Sequence, residues 1–254
     1  MIQVLAIILF VLLLLVGGDR GAITVMSLAG NIAVLGAAVL FLANGTPVFL
    51  VILLATVCIS YITLIRQNGS NVKTRAALAS VIGIMTILSV FIALTVWRTG
   101  AGGLNEIQAI QEDIQFYYNI DIGIPMQQVA TAIVILSALG AIMDTALSVT
   151  SAVYEVSIHR PGLTKTEYVK SGMQVGKDII GTTANTLLFA YFGESLLLFA
   201  YLVNGKYNWE IILNSKFLFQ GLAMMVAGMI ACLLAVPVSA YAIASVIGKE
   251  EKQL

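Results

Sequence analysis

Long apolar runs alternate with short polar connections along this chain. Because a bilayer core of about 30 Å takes about 20 apolar residues in helical form, the pattern predicts about seven transmembrane helices. Their approximate bounds are 2–17, 22–43, 47–65, 76–97, 126–150, 179–203 and 217–247. The last run is long and contains Pro237, which favours a kink. We therefore expect an all-α, polytopic helix bundle.

The distribution of basic residues predicts an orientation. Lysine and arginine accumulate in the cytoplasmic connections of membrane proteins. With the N-terminus outside, only Arg98, Lys206 and Lys216 fall on the outer side. The other ten fall on the inner side, namely Arg20, Arg66, Lys73, Arg75, Arg160, Lys165, Lys170, Lys177, Lys249 and Lys252. This asymmetry predicts an external N-terminus and a cytoplasmic C-terminus.

The composition agrees with a chain embedded in lipid. Hydrophobic residues make up 59% of the 254 positions and charged residues 10%, whereas soluble proteins average about 25% charged. We expect residues 1–254 to form a single integral membrane domain with the bilayer as its main partner. Basic and acidic residues are equal at 13 each and form no basic patch, which argues against a nucleic-acid partner.

The one long connection, from Arg98 to Pro125, is acidic and predicted to be external. Within it, apolar side chains recur at helical spacing opposite polar ones, at Ile107, Ile110, Ile114 and Tyr117. This pattern predicts an amphipathic helix at 103–120 that lies on the outer membrane surface. A gate or a docking surface for a partner is the alternative interpretation.

The residues that bind metals or perform catalysis are sparse. The single His159 and the two cysteines, Cys58 and Cys232, lack the spacing of a zinc site, so we expect neither a metal nor another cofactor. The chain contains no Gly-x-Ser-x-Gly elbow and no His-Glu-x-x-His motif. The sequence therefore predicts no enzyme, and an aspartyl dyad of Asp144 and Asp178 is the one catalytic alternative.

A polar stripe runs along the predicted fifth helix. Its members follow steps of three or four residues and include Ser137, Gly140, Asp144, Ser148, Ser151 and Glu155. An ionisable group in lipid costs roughly 2.5–3.5 kcal/mol unless it is paired, protonated or hydrated. The stripe is therefore interpreted either as part of a solute pathway or as a close helix–helix contact.

The predicted sixth helix has a second polar group beside three glycines. Asp178, Thr182 and Asn185 share one face, and Lys177 precedes Asp178. The run from 171 to 203 is long for one span, and its glycines at 172, 176 and 181 leave open whether the helix is continuous or discontinuous. Glu194 lies about 24 Å further along an unbroken helix, toward the outer side, and is a secondary candidate.

The predicted topology relates the two aspartates. Because the fifth helix runs inward and the sixth returns, Asp144 and Asp178 are expected at a similar depth near the cytoplasmic side. If they approach each other, they favour a shared proton or a bound cation. A structural ion pair with Lys177 is the competing interpretation.

Two smaller polar stripes occur in the first half of the chain. Thr24, Ser27 and Asn31 lie on the second predicted helix, and Thr56, Ser60 and Thr63 on the third. Hydroxyl groups in lipid commonly bond carbonyls of their own helix. We expect that arrangement here, with the lining of a cavity as the alternative.

Two segments carry a family resemblance. They are Met143-Asp144-Thr145-Ala146-Leu147-Ser148 and Gly176-Lys177-Asp178-Ile179-Ile180-Gly181-Thr182-Thr183-Ala184-Asn185-Thr186-Leu187. Within roughly residues 135–200 the chain resembles the YibE/F-like family of bacterial multi-pass membrane proteins, as a shorter, YibF-type member. The resemblance implies a bacterial cell membrane and a sister YibE-type membrane protein as partner, but no activity. Family members usually have arginine at the position of Lys177, and lysine lacks its bidentate geometry.

Two functions are consistent with these patterns. The first is transport of a small solute or ion, alone or with the sister protein, through a pathway lined by Asp144, Ser148, Lys177, Asp178, Thr182 and Asn185. The second is a non-transporting scaffold or assembly subunit, in which the acids hold helices together. Small residues along the helices make a homo-oligomer or hetero-oligomer plausible.

Overall fold

The computed structural model describes residues 1–99, 126–205 and 208–250, and within these ranges it is helical, without strands. The prediction of an all-α protein is therefore confirmed. The external helix predicted at 103–120 lies outside the described residues. The helices are α1 (Ile2–Ala43), α2 (Val48–Ser60) continued by a π-helical turn (Tyr61–Arg66), α3 (Val72–Thr99), α4 (Met126–His159), α5 (Lys165–Asn204), α6 (Trp209–Leu213) and α7 (Lys216–Glu250).

Five of the described helical segments are long and apolar enough to cross a bilayer. They are Gln3–Ala43, Val48–Arg66, Val72–Thr95, Ala132–His159 and Gly221–Gly248. Their outward surfaces expose many large apolar side chains, as expected for helices in contact with lipid. These features indicate a membrane protein.

Helix α1 bends sharply at Gly18. This residue has φ 53° and ψ −132°, a backbone conformation that glycine adopts without a steric penalty. A Cβ atom at Gly21 would overlap the carbonyl oxygen of Leu13, although eight residues of unbroken helix would separate the two by about 12 Å. The helix therefore turns sharply at the boundary predicted between residues 2–17 and 22–43, while the side chains before Gly18 remain largely exposed.

The centre of the bundle is formed by α3, α4, α5 and α7. Helix α4 contributes fully buried side chains such as Ala138, Ile142 and Val149, and α7 contributes Ala235 and Ala240. Small residues predominate on the facing surface of α7, which lets its neighbours approach closely. Helices α1 and α2 pack at the side of this group, where α2 contacts α4.

Two glycines of α5 provide its contact with α7. A Cβ at Gly172 would meet Ala240 and Val153, and a Cβ at Gly176 would overlap Val236. The helix runs without interruption for 40 residues. The discontinuous helix that the sequence left open is therefore absent, because these glycines serve close packing rather than a break in the backbone.

One end of the bundle collects basic residues and carries well-formed caps. At the start of α5, the amide and hydroxyl of Thr164 donate hydrogen bonds to Glu167 Oε2 at 2.8 and 2.7 Å, the arrangement of a capping box. The Lys165 ammonium lies 3.6 Å from the centre of the Tyr241 ring of α7. These contacts fix the α4–α5 connection against the end of α7.

Candidate functional site

The packing of α5 against α7 gives the level of Asp178 in the bundle. Gly172 of α5 contacts Ala240 of α7, and Gly176 contacts Val236. The residue numbers rise along α5 as they fall along α7, so the two helices are antiparallel. Asp178, two residues after Gly176, is therefore level with about residue 234. Position 234 lies within the apolar segment of α7, Gly221–Gly248. Lys177, which the sequence predicts to lie among the inner connections, lies with Asp178 in the first half of α5, which begins at Lys165. Their depth near the cytoplasmic side stays a prediction.

Asp144 lies at nearly the same level. The Cys232 thiol of α7 is within hydrogen-bonding reach of Thr145, the neighbour of Asp144. In the α4–α5 hairpin, Val153 contacts Gly172. From that contact Asp144 is about 13 Å along α4 and Asp178 about 9 Å along α5. The two carboxylates therefore differ in depth by about one helical turn.

The polar side chains of α5 lie on the side that faces away from α7. At about 100° per residue, Asp178 is about 160° from Gly176 around the helix and Asn185 about 180° from it. Their side chains, together with those of Lys177 and Thr182, are exposed, which here means uncovered by any other part of the described chain. We call Lys177, Asp178, Thr182 and Asn185 the α5 polar face.

The stripe of α4 is exposed in the same sense. Asp144 and Ser148 are uncovered, whereas the neighbouring Thr145 and Ala146 are fully buried. Several hydroxyls of this region bond their own helix: Ser137 donates to Val134 O at 2.9 Å, and Thr145 to Ala141 O at 2.8 Å. On α5, Thr182 likewise donates to Ile179 O at 2.9 Å. These hydroxyls therefore need no partner from another helix.

The charged candidates are not paired with one another. Among the residues that the structure describes, no hydrogen bond or ion pair joins Asp144, Lys177 or Asp178 to another side chain. The two aspartates thus share a depth without forming a dyad. Glu194 belongs to α5, but its side chain is outside the described part. No group of three or more His, Cys, Asp or Glu residues in that part could hold a metal ion.

A second polar region lies between α1 and α2. The Asn31 amide donates to Thr63 Oγ1 at 3.0 Å across the two helices. Ser60 is fully buried and Thr56 is 5% exposed. Three buried oxygens, Asn31 Oδ1, Thr56 Oγ1 and Ser60 Oγ, have no hydrogen-bond partner among the described residues. We call Asn31, Thr56, Ser60 and Thr63 the polar seam.

The polar seam coincides with the π-helical turn Tyr61–Arg66. In that turn Gln67 N bonds Ile62 O at 3.0 Å, five residues back, and such turns frequently accompany functional sites. The sequence did identify these side chains, but it predicted that their hydroxyls bond their own helices. The signal for an interhelical contact was Asn31, since an amide inside a span requires a partner.

Comparison with known proteins identifies the family. The family model described as YibE/F-like protein matches residues 5–249. The chain belongs to this family. The match confirms the resemblance seen within residues 135–200 and extends it over nearly the whole YibE/F-like chain. No curated protein and no solved structure matches the chain.

Proposed function

We propose that this YibE/F-like protein is a membrane permease for a small solute or ion. The observation that supports it is the common level of Asp144 on α4 and Asp178 on α5, beside the apolar segment Gly221–Gly248 of α7. A carboxylate at that depth costs roughly 2.5–3.5 kcal/mol in lipid. Two such costs on neighbouring helices favour a hydrated or proton-binding function for these groups.

The pathway consists of the polar side chains that α4 and α5 present at this level. Asp144 and Ser148 contribute from α4, and Asp178, Thr182 and Asn185 from α5. The positive charge of Lys177 lowers the net negative charge of this lining and thereby favours a proton or a monovalent cation over a divalent one. The lining has carboxylate, hydroxyl and amide oxygens, which are ligands for hard cations and for water.

The proposed topology has seven crossings. The two arms of α1, then α2, α3, α4, α5 and α7, cross in turn, with the N-terminus outside a bacterial cell membrane. The sharp bend of α1 at Gly18 supports counting its arms separately. The alignment of α5 along the apolar segment of α7 supports counting α5. A sister YibE-type protein is a candidate partner.

Flux measurements on Asp144→Asn test the permease. Purified protein in liposomes should carry protons or monovalent cations down an imposed gradient, reported by a trapped pH-sensitive dye. The substitution is close in size and removes the charge, so flux should fall at least tenfold while the thermal unfolding temperature remains that of the parent. Ser137→Ala is the matched control on the same helix, because its hydroxyl is already bonded to Val134 O.

Equal flux in Asp144→Asn and in the parent would overturn the assignment of the pathway. Absence of flux from the parent for each cation tested would favour the second candidate function. That candidate is a scaffold or assembly subunit, and it is favoured by one observation: the polar faces of α4 and α5 point out of the chain. In a scaffold, Asp144→Asn should weaken partner co-purification instead.

A further inference from the structure

We propose that the α5 polar face is the contact surface for a second copy of this chain, through reciprocal ion pairs between Lys177 and Asp178. The proposal deepens the proposed function, since a second copy would cover the open side of the polar site. The association itself does not depend on transport and can be tested without it.

The first step of the argument is the depth of the charges. Lys177 and Asp178 lie level with about residues 235 and 234 of α7, beside its apolar segment Gly221–Gly248. A charged side chain beside apolar segments is costly in lipid unless it is paired, protonated or hydrated. The charges must be covered by protein or water.

The second step is that the described chain itself does not cover them. The buried side of α5 carries Gly172 and Gly176 against α7, and Lys177, Asp178 and Asn185 are on the exposed side. Neither Lys177 nor Asp178 has a hydrogen bond or an ion pair with the described residues. Adjacent residues of a helix do not face each other, so the two charges cannot neutralise one another within one copy.

The third step is that the face is complementary to itself. Copies inserted with the same topology and related by a two-fold axis along the membrane normal hold equivalent residues at equal depth. Lys177 of one copy then lies level with Asp178 of the other. The two-fold axis also places Asp178 of the first copy level with Lys177 of the second. A single two-fold contact therefore neutralises all four charges.

The centre of the face permits close approach. Gly181 is exposed, and a Cβ added there would meet no atom within 4 Å, so another helix backbone can approach it. Thr182 and Asn185 lie beside Gly181, and the Asn185 amide offers donors and an acceptor to its equivalent in the second copy. A lipid tail could not satisfy the Asn185 amide.

A charge-exchange experiment tests the pairing. Two differently tagged copies are reconstituted in liposomes without any other protein, and their co-purification is measured. Lys177→Asp makes the face wholly negative, and Asp178→Lys makes it wholly positive, so each variant alone should lose at least tenfold in self-association. Mixing the two variants should restore association to near the parental level. Glu210→Lys, a charge reversal on the short helix α6, should leave association unchanged.

Disulfide trapping gives a second measurement with a control at the same depth. In a background of Cys58→Ala and Cys232→Ala, oxidised Asn185→Cys should form a covalent dimer. Val226→Cys, which lies on the exposed side of α7 at a similar level, should remain monomeric. Equal cross-linking at both positions, or failure of the mixed charge variants to associate, would overturn the proposal.

The same experiments separate this proposal from the permease. A parent protein that dimerises but carries no ion would leave the contact intact and contradict the proposed transport. Transport by chains that stay monomeric would contradict the contact. Self-association that requires a sister family member in the liposomes would replace the second copy with that partner and overturn the proposal as stated.

Discussion

Both polar regions of this protein contain an asparagine and a threonine, but in different arrangements. In the polar seam, Asn31 donates a hydrogen bond to Thr63 on another helix at 3.0 Å, and Ser60 beside them is fully buried. On the α5 polar face, Thr182 bonds Ile179 O of its own helix and Asn185 is exposed. The seam is an internal contact, and the face is an external surface.

This difference shows that the spacing of polar residues identifies a helix face but not its neighbour. Both stripes follow the 3.6-residue period, and both occur in apolar segments. The two stripes differ in which side of the helix packs against a neighbouring helix. Glycines at 172 and 176 bind the other side of α5 to α7, whereas the polar side of α2 is itself the packed one.

The largest expected effect comes from adding bulk in the two regions. Ser60→Leu inserts a large side chain into a fully buried position and should reduce the free energy of unfolding by about 1–3 kcal/mol. Thr182→Leu makes a comparable change on the exposed face and should alter stability of the detergent-solubilised monomer by less than about 0.5 kcal/mol. Denaturant titrations followed by circular dichroism measure both.

Equal losses from these two leucine variants would contradict the distinction between seam and face. The comparison also separates folding from association. Thr182→Leu should weaken co-purification of two copies while leaving the monomer folded, and Ser60→Leu should act on folding alone.

A double-mutant cycle compares the coupling energy between two side chains in the polar seam with that on the α5 polar face, and the expected energies are smaller. Because Asn31 and Thr63 are hydrogen-bonded across helices, the cycle of Asn31→Ala and Thr63→Ala should show a coupling energy of about 0.6 kcal/mol, the average for such pairs in membranes. The matched cycle of Thr182→Ala and Asn185→Ala should show none in the monomer. The same denaturant titrations supply the four stabilities of each cycle.

A coupling in the α5 cycle as large as in the seam would mean that Thr182 and Asn185 act as one hydrogen-bonded unit. That result would contradict the bond from Thr182 to its own helix. Absence of coupling between Asn31 and Thr63 would remove the interhelical character of the seam.

Much of the fold follows from local signals that the sequence displays directly. Apolar length predicts the helices, and the boundary between 17 and 22 coincides with the bend at Gly18, since paired glycines near charged residues mark a turn. The continuity of α5 was not predictable from composition. A glycine that breaks a helix and a glycine that permits close packing are identical in sequence, and only the contact of Gly176 with Val236 distinguishes them.

The candidate site was predictable in part for a similar reason. Helical spacing assigned Asp178, Thr182 and Asn185 to one face, and hairpin topology gave Asp144 and Asp178 a common depth. The start of the helix was not predicted, since α5 begins at Lys165, well before the apolar run that predicts the sixth span. Whether a polar face points into the bundle or out of it depends on which helices are adjacent. The spacing of residues within one helix does not contain that information.

The smallest expected effect concerns Glu167, a carboxylate in the first turn of α5. Hydrogen bonds from the Thr164 side chain, and then from its backbone amide, lower the pKa of Glu167 below its ordinary value of 4.5. Because the pKa is lower in the folded state, the ionised carboxylate stabilises the fold at any pH above the pKa of the unfolded state. This stabilisation is lost as the pH falls through the pKa of the folded state. Asp178, in contrast, has no hydrogen-bonding partner in the described chain.

Glu167→Gln should therefore lower the thermal unfolding temperature slightly at pH 7, and the difference from the parent should disappear as the pH falls below 4.5. Glu155→Gln is the control, because Glu155 is exposed and accepts no hydrogen bond from the described residues. Unfolding temperatures of the three proteins from pH 7 to below 4.5 measure the effect. A difference for Glu167→Gln that persists unchanged at the lowest pH would show that the capping bond acts independently of the charge.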